Sequence, residues 1–137
     1  MQPHADPGTL AHRFGHAAIA AVVDVFYTRI QTHETLAGPF SVVEDWPHHK
    51  AKITHFWWVV LGGDPYRGEE YAVPFKHFRA GFTAALLVDW LALFAEAQRE
   101  ILPRDRADEW HRLATGMGAN LARMNAALAA QAVQQQA

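Results

Sequence analysis

The stretch that decides the fold is Trp46–Gly63, which reads WPHHKAKITHFWWVVLGG. Trp46-Pro47 predicts the start of a helix, because the N–H that proline lacks has no partner in the first helical turn. Gly62-Gly63 predicts its end. Between these limits, apolar side chains recur at helical spacing and share one face with a histidine: His49, Ile53, Phe56, Trp57 and Val60. His49 is therefore predicted to point into the protein interior.

Three further long helices are predicted on either side of this stretch, and no segment alternates as a strand does. The first is capped by Thr9 and runs to about Gln31. The other two run from about Thr83 to Leu102 and from about Arg104 to Gln131. A short helix, PFKHFR, begins at Pro74 and places His77 between two phenylalanines. The fold class is therefore predicted to be all-α.

The length of 137 residues is typical of one domain with a single core. Residues 9–131 are expected to form that domain. Residues 1–8, with two prolines and a glycine, are expected to be a flexible arm, and residues 132–137 a C-terminal tail.

Composition excludes several classes of function. With 12 basic and 14 acidic residues, the chain has no electrostatic footprint for nucleic acid. The absence of cysteine excludes disulfides, thiolate metal sites and a cysteine nucleophile. No apolar run is long enough to span a bilayer, and no signal peptide is recognisable, so no membrane partner and a cytoplasmic location are expected.

Four side chains from four segments are candidates for one ligand site: Tyr27, His49, His77 and Trp90. Sites between helices are typical of helical bundles. Two imidazoles from different helices, surrounded by phenylalanine and tryptophan, suit a flat apolar cofactor with a metal at its centre. Haem meets that description, since it needs an axial histidine on one side and polar groups on the other.

The motifs around these residues resemble those of the group III truncated haemoglobins. The similarity runs in order through Phe26-Tyr27, Leu36–Phe40, Trp46–Ile53 with Phe56-Trp57, Tyr66–Gly68, His77, and Trp90–Phe94. The stretch from Tyr66 to His77 is longer than the family pattern.

The resemblance implies a two-over-two helical sandwich around haem b, that is, iron protoporphyrin IX. His77 would be the proximal iron ligand, and Tyr27, His49 and Trp90 would line the distal side. The wall of the cofactor site would include Phe26, Phe56, Trp57 and Phe78. Dioxygen, carbon monoxide and nitric oxide are the ligands that such a protein is expected to bind.

Two other classes of function stay open at this point. The same residues suit a haem enzyme with peroxidase-like or nitric oxide dioxygenase activity, which would need an unidentified reductase as partner. A haem-free helical interaction module is the third alternative. His12 with His16, and His48 with His55, share helix faces and are weak candidates for zinc, because no carboxylate has matching spacing.

Overall fold

A computed structural model describes residues 3–68 and 83–136. Five α-helices are present in this part of the chain, together with a 3₁₀ turn at Pro39–Val42. Their bounds are α1 Leu10–Phe14, α2 His16–Ile30, α3 Trp46–Val60, α4 Ala84–Ile101 and α5 Arg104–Gln136. The only extended pairing in the described ranges is an isolated bridge between Ala5 and Gly63. The all-α prediction is confirmed.

Helix α3 begins and ends as its sequence predicts. The Asp45 side chain accepts a hydrogen bond from the backbone N–H of His48 (3.1 Å), which caps the helix start. At the other end, Gly62 has φ +104°, a conformation that a residue with a Cβ rarely adopts. Gly63 lies flat against the Trp58 indole, where an added Cβ would come within 2.1 Å of the ring. Both glycines are therefore required by this turn.

The first predicted helix is divided in two at Gly15, which has φ +86°. The positive φ ends α1 and redirects the chain into α2, so the run from Thr9 to Gln31 is not one continuous helix. Helix α1 is also tied to the end of α3, because the Ala11 N–H donates to the Leu61 carbonyl (2.9 Å). The apolar pattern continues through the break, which is why periodicity alone does not reveal it.

The helices form two pairs: α2 packs against α3, and α4 packs against α5. The pairs meet where α2 contacts α4. Large side chains from three helices are fully buried at this junction, among them Phe26, Phe94 and Trp110. Their rings contact one another along the line from Phe26 to Phe94 (4.9 Å between centroids) and on to Trp110 (5.3 Å). The core is therefore mainly aromatic.

Residues ahead of α1 contact the chain just after α3. The Asp64 N–H donates to the His4 carbonyl (2.8 Å), and the His4 ring lies 2.8 Å from the Asp64 carboxylate. Ala5, which bridges to Gly63, is buried. No helix within the described ranges is both long and apolar enough to cross a membrane. The predicted short helix with His77 and Phe78 falls outside the described residues.

Candidate functional site

The end of α2 brings two aromatic side chains into the interior side by side. Phe26 and Tyr27 are both buried, and their rings meet edge to face at 4.9 Å. Neighbouring residues of a helix point in directions about 100° apart, so the two rings serve different partners. Phe26 contacts α4, and Tyr27 contacts the start of α3. The pair thereby links the two helices that carry Trp90 and His49.

Tyr27 is surrounded by rings from the segment that leads into α3. Its nearest ring partner there is His49, edge-on at 4.9 Å, followed by Phe40 (5.9 Å) and Trp46 (6.0 Å). Burial raises the pKa of the Tyr27 phenol well above its usual range. The hydroxyl therefore keeps its proton at any physiological pH and can act as a hydrogen-bond donor.

His49 lies in the first turn of α3, between Tyr27 and Trp46. The Trp46 ring is 5.7 Å away and almost perpendicular to the imidazole. The side chain as a whole is half-buried, but its Nε2 atom is shielded from solvent. The His49 ring thus packs against the buried ring of Tyr27, and its role at a ligand site stays a prediction. Its position at the start of the helix also leaves it close to the surface.

Trp90 reaches the same cluster from α4. Its ring contacts Phe26 perpendicularly at 5.2 Å and Phe94 at 5.0 Å. The indole Nε1 is buried and donates to no atom of the described chain. Such a donor costs about 1–3 kcal/mol relative to a solvated one. Gln98, Trp110 and His111 likewise have buried polar side-chain atoms without a partner in the described part of the chain. Trp90 differs from them because it touches Phe26, which adjoins Tyr27.

The predicted wall residues extend this cluster toward the core. Trp57 contacts Phe94 (5.3 Å) and Trp110 (5.6 Å), and the half-buried Phe56 lies against Trp57 at 5.3 Å. Successive ring contacts therefore connect six of the sequence-predicted site residues through Phe94: Phe26, Tyr27, His49, Phe56, Trp57 and Trp90. His77 and Phe78, the remaining two, are outside the described ranges.

Sequence reasoning did not include Trp46 or Phe40 among the candidate site residues, although both contact Tyr27. The signal for Trp46 was present, because it precedes His49 by three residues and so shares its helix face. Phe40 belongs to the 3₁₀ turn, whose geometry has no comparable periodic signature.

The histidine pairs considered for zinc do not form metal sites in the described residues. No group of three or more ligating side chains occurs there. His12 and His48 are exposed, whereas His16 and His55 are directed at Tyr66. The chemistry available at the Tyr27 cluster is instead hydrogen bonding: a protonated phenol and an indole N–H, on different helices, in an apolar setting where such bonds are strong.

The chain is similar in sequence and in fold to known truncated haemoglobins. A group 3 truncated hemoglobin from Campylobacter jejuni is 31% identical over 87 residues, which is 58% of this chain and 66% of that protein. The match thus spans just under two thirds of the relative's length. A crystal structure of a group III truncated hemoglobin from the same species has a TM-score of 0.69 and 25% identity, covering 80% of this chain and 90% of its own.

A second solved structure shares the fold at lower identity. The truncated oxygen-avid haemoglobin from Bacillus subtilis has a TM-score of 0.74 and 19% identity, and the alignment covers 83% of this chain and 98% of the other. The resemblance to truncated haemoglobins and the two-over-two arrangement of helices are thus confirmed. The sequence profile described as "Bacterial-like globin" matches residues 13–122. The chain belongs to the bacterial-like globin family.

Proposed function

We propose that this protein binds haem b and reversibly binds dioxygen or another diatomic gas. In this proposal His77 would hold the haem iron, and Tyr27, His49 and Trp90 would line the pocket that the gas enters. Membership of the globin family supports a haem-based role. The names of the relatives support it too, since one is a truncated hemoglobin and another is called oxygen-avid.

The observation that carries the proposal is the indole N–H of Trp90. This N–H is buried and has no partner in the described chain. The ring of Phe26 contacts both Trp90 and Tyr27, whose hydroxyl is protonated. Buried polar groups are nearly always satisfied in folded proteins, so an unsatisfied donor needs an explanation. A small hydrogen-bond acceptor that enters from outside supplies one.

The residues around these donors fit haem. Buried aromatic rings such as Phe26 and Trp57 are the kind of apolar surface against which a planar macrocycle would pack. When bound, haem supplies the iron at which a gas ligand binds. His77, between Phe75 and Phe78 in the sequence, would hold that iron from the proximal side.

The distal donors act on the gas once it is bound. A gas ligand that gained negative charge in the pocket would accept hydrogen bonds from Tyr27 and Trp90, whereas the free gas does so poorly. Tyr27 and Trp90 therefore slow the release of the ligand more than they speed its capture. The apolar surroundings strengthen the effect, because competing water is excluded and the local dielectric is low.

His49 has a different role in this proposal. Its ring contacts both Tyr27 and Trp46 at the start of α3, and its side chain is half-buried, so it lies between the cluster and the solvent-exposed start of the helix. Because Tyr27 and Trp90 already supply two donors, a third is redundant. We therefore assign His49 the role of a gate that controls how ligands enter.

The experiment that tests the assignment of the iron ligand is His77→Ala, assayed by the absorption spectrum of the purified protein. We expect haem to be lost, or held weakly with a changed spectrum, because the axial bond fixes the cofactor in position. His12→Ala is the matched control, since His12 is exposed on α1 and should leave the spectrum unchanged. Full haem loading with an unaltered spectrum in His77→Ala would reject the assignment. If the parent protein retained no haem absorption after haem was added and the unbound haem removed, haem binding would be rejected altogether.

A further inference from the structure

A second cluster of rings lies at the far end of α3, where Tyr66 packs between His16 and His55. His55 is buried, and its Nε2 atom accepts hydrogen bonds from the backbone N–H groups of Tyr66 (3.1 Å) and Arg67 (3.3 Å). The Tyr66 ring also lies edge-on against the His55 ring, at 4.5 Å between centroids. These contacts fix the position of the Tyr66 side chain, although 45% of the residue's surface is exposed.

The hydroxyl of Tyr66 is paired with a base. It lies 2.7 Å from the Nε2 atom of His16. Burial, together with the neighbouring His55, lowers the pKa of His16, and burial raises the pKa of the Tyr66 phenol. At neutral pH the imidazole is therefore uncharged and the phenol keeps its proton, so the phenol can donate the hydrogen bond. The acceptor is a ring nitrogen that is able to take up the proton itself.

A buried indole lies against the same imidazole. The Trp58 ring meets the His16 ring edge to face at 5.3 Å, and only 2% of Trp58 is exposed. Its Nε1–H donates to the Asp64 carbonyl (2.9 Å). A peptide carbonyl is too weak a base to remove that proton, so loss of one electron from Trp58 gives an indole radical cation that retains its N–H. The electron vacancy is then separated from the Tyr66 phenol by one imidazole ring.

The exposed side of the phenol–imidazole pair opens into a surface cleft of about 320 Å³. His16 and Tyr66 line this cleft together with the side chains of Lys50, Thr54 and Arg67. Small solutes can therefore reach the phenol, whereas the buried Trp58 is shielded from them. The three rings thus lead from the protein interior to a site that solutes can reach.

We propose that Tyr66 and His16 form a redox site that returns an electron to Trp58 after an oxidising radical has removed one. In this step one electron passes from the Tyr66 phenol to the Trp58 radical cation, which becomes a neutral indole again. The phenolic O–H bond breaks, and its proton moves to His16 Nε2. The products are neutral Trp58, a phenoxyl radical at Tyr66 and a protonated His16.

The cycle is completed at the surface. A small one-electron reductant, such as an ene-diol in the cleft, gives an electron to the phenoxyl radical, and His16 returns the proton to its oxygen. The oxidising equivalent is thereby removed from the interior of a chain that contains five tryptophans. No step involves haem, so the inference is independent of the proposed gas-binding function.

The test is pulse radiolysis of the full-length protein as purified. Azide radicals oxidise tryptophan, after which the absorption of the indole radical should decay as that of the phenoxyl radical rises. We expect a phase whose rate does not depend on protein concentration and is lower in heavy water, because a proton moves with the electron. Tyr66→Phe and Trp58→Phe should each abolish this phase.

Two results of this experiment would overturn the proposal. One is a parental phase that persists in a folded Tyr66→Phe variant, since the phenoxyl radical would then form elsewhere. The other is an equal rate in light and heavy water for the parent, since no proton would then move with the electron. The second measurement needs no substitution, and it stays decisive if a variant fails to fold.

The matched pair His16→Gln and His12→Gln isolates the role of the base. The glutamine amide oxygen accepts a hydrogen bond but is not basic enough to take the proton. We expect His16→Gln to slow the phase roughly a hundredfold, the lower end of what a positioned general base contributes. His12→Gln should keep the parental rate, because His12 is exposed on α1. A parental rate in His16→Gln would make the hydrogen bond merely structural and reject the redox site.

Discussion

Two tryptophans of this protein, Trp58 and Trp90, are placed in similar aromatic surroundings but differ in their indole nitrogens. Trp58 Nε1 donates to the Asp64 carbonyl and so fastens a loop to α3. Trp90 Nε1 is buried with no acceptor in the described chain. Both rings make close contacts with neighbouring rings, so packing alone does not distinguish them. The polar atoms distinguish them: the Trp58 donor is satisfied within the protein, whereas the Trp90 donor is the one that we propose to bind a ligand.

Two of the three histidines of α3, His49 and His55, differ in the same way. His55 uses its Nε2 atom to bind the backbone of Tyr66 and Arg67. His49 lies between the rings of Tyr27 and Trp46, in the first turn of α3. Helix α3 therefore anchors the following loop through His55, and we propose that it controls ligand access through His49. Substitutions at the two ends should affect different measurements.

The largest effect on gas binding is expected from Tyr27→Phe. Removing the hydroxyl should raise the dioxygen dissociation rate roughly ten- to hundredfold, because a hydrogen bond to a polarised group contributes about 1.5–3 kcal/mol. The association rate should change little, since the free gas accepts hydrogen bonds poorly. Stopped-flow or flash-photolysis rates measure both. Tyr66→Phe is the control, since that hydroxyl serves His16 in the other cluster. Equal dissociation rates in Tyr27→Phe and the parent would make Tyr27 a wall residue.

The matched pair Trp90→Phe and Trp58→Phe tests the comparison directly. Trp90→Phe should raise the dioxygen dissociation rate while leaving the stability of the haem-free protein unchanged or improved, because it removes an unsatisfied donor. Trp58→Phe should lower the free energy of unfolding by about 1 kcal/mol, the usual contribution of one hydrogen bond, without altering gas release. Urea unfolding and stopped-flow kinetics separate the two outcomes. The distinction between the two tryptophans would be contradicted if both variants changed only gas release or only the free energy of unfolding.

His49→Leu should alter the entry of carbon monoxide severalfold with a smaller change in dioxygen release. Carbon monoxide accepts hydrogen bonds poorly, so its association rate reports access to the site more than polarity. His48→Leu provides the control, since His48 is the exposed neighbour in the same helical turn. Flash photolysis with both gases decides between the roles. A large rise in dioxygen release with unaltered carbon monoxide entry would make His49 a donor.

The smallest effect is expected on the melting temperature, from substitution of His4, which is exposed and contacts Asp64 just after α3. Its hydrogen bond with the Asp64 carboxylate raises the pKa of His4 above the ordinary value of 6.5. The stabilising contact is therefore complete below that value and is lost as pH rises through the raised pKa. The difference in melting temperature between the parent and His4→Gln should be greatest at about pH 6 and vanish by about pH 9. Asp64→Asn should remove the same pH dependence. A difference in melting temperature between the parent and His4→Gln that did not vary with pH would contradict the prediction.

The sequence predicted much of this architecture because helix limits depend on local chemistry. Pro47 and Gly62 act on the backbone within one turn of themselves, and they marked the two ends of α3 correctly. The break at Gly15 was missed, since the apolar spacing continues on both sides and only the positive φ separates α1 from α2. Glycine within a helical pattern has no single meaning.

The cluster around Tyr27 was predictable for a similar reason, whereas the contacts of His16, His55 and Tyr66 were not. His49 and Trp90 occupy apolar helix faces within motifs that resemble a known family. His55 and His16 find Tyr66 across a loop whose path is set by contacts distant in sequence, including the pairing of His4 with Asp64. No periodic pattern encodes such a path. The composition of residues 1–8 likewise gave no sign that Ala5 is buried against Gly63.

The contact between Gly63 and Trp58 has a consequence for how this protein can evolve. A Cβ at residue 63 would lie 2.1 Å from the indole, so any larger residue there collides with a ring that is itself buried. The two positions must therefore change together. Among homologues that keep tryptophan at position 58, we expect glycine at 63 without exception. Lineages that replace the indole with a small side chain should be the ones in which position 63 begins to vary.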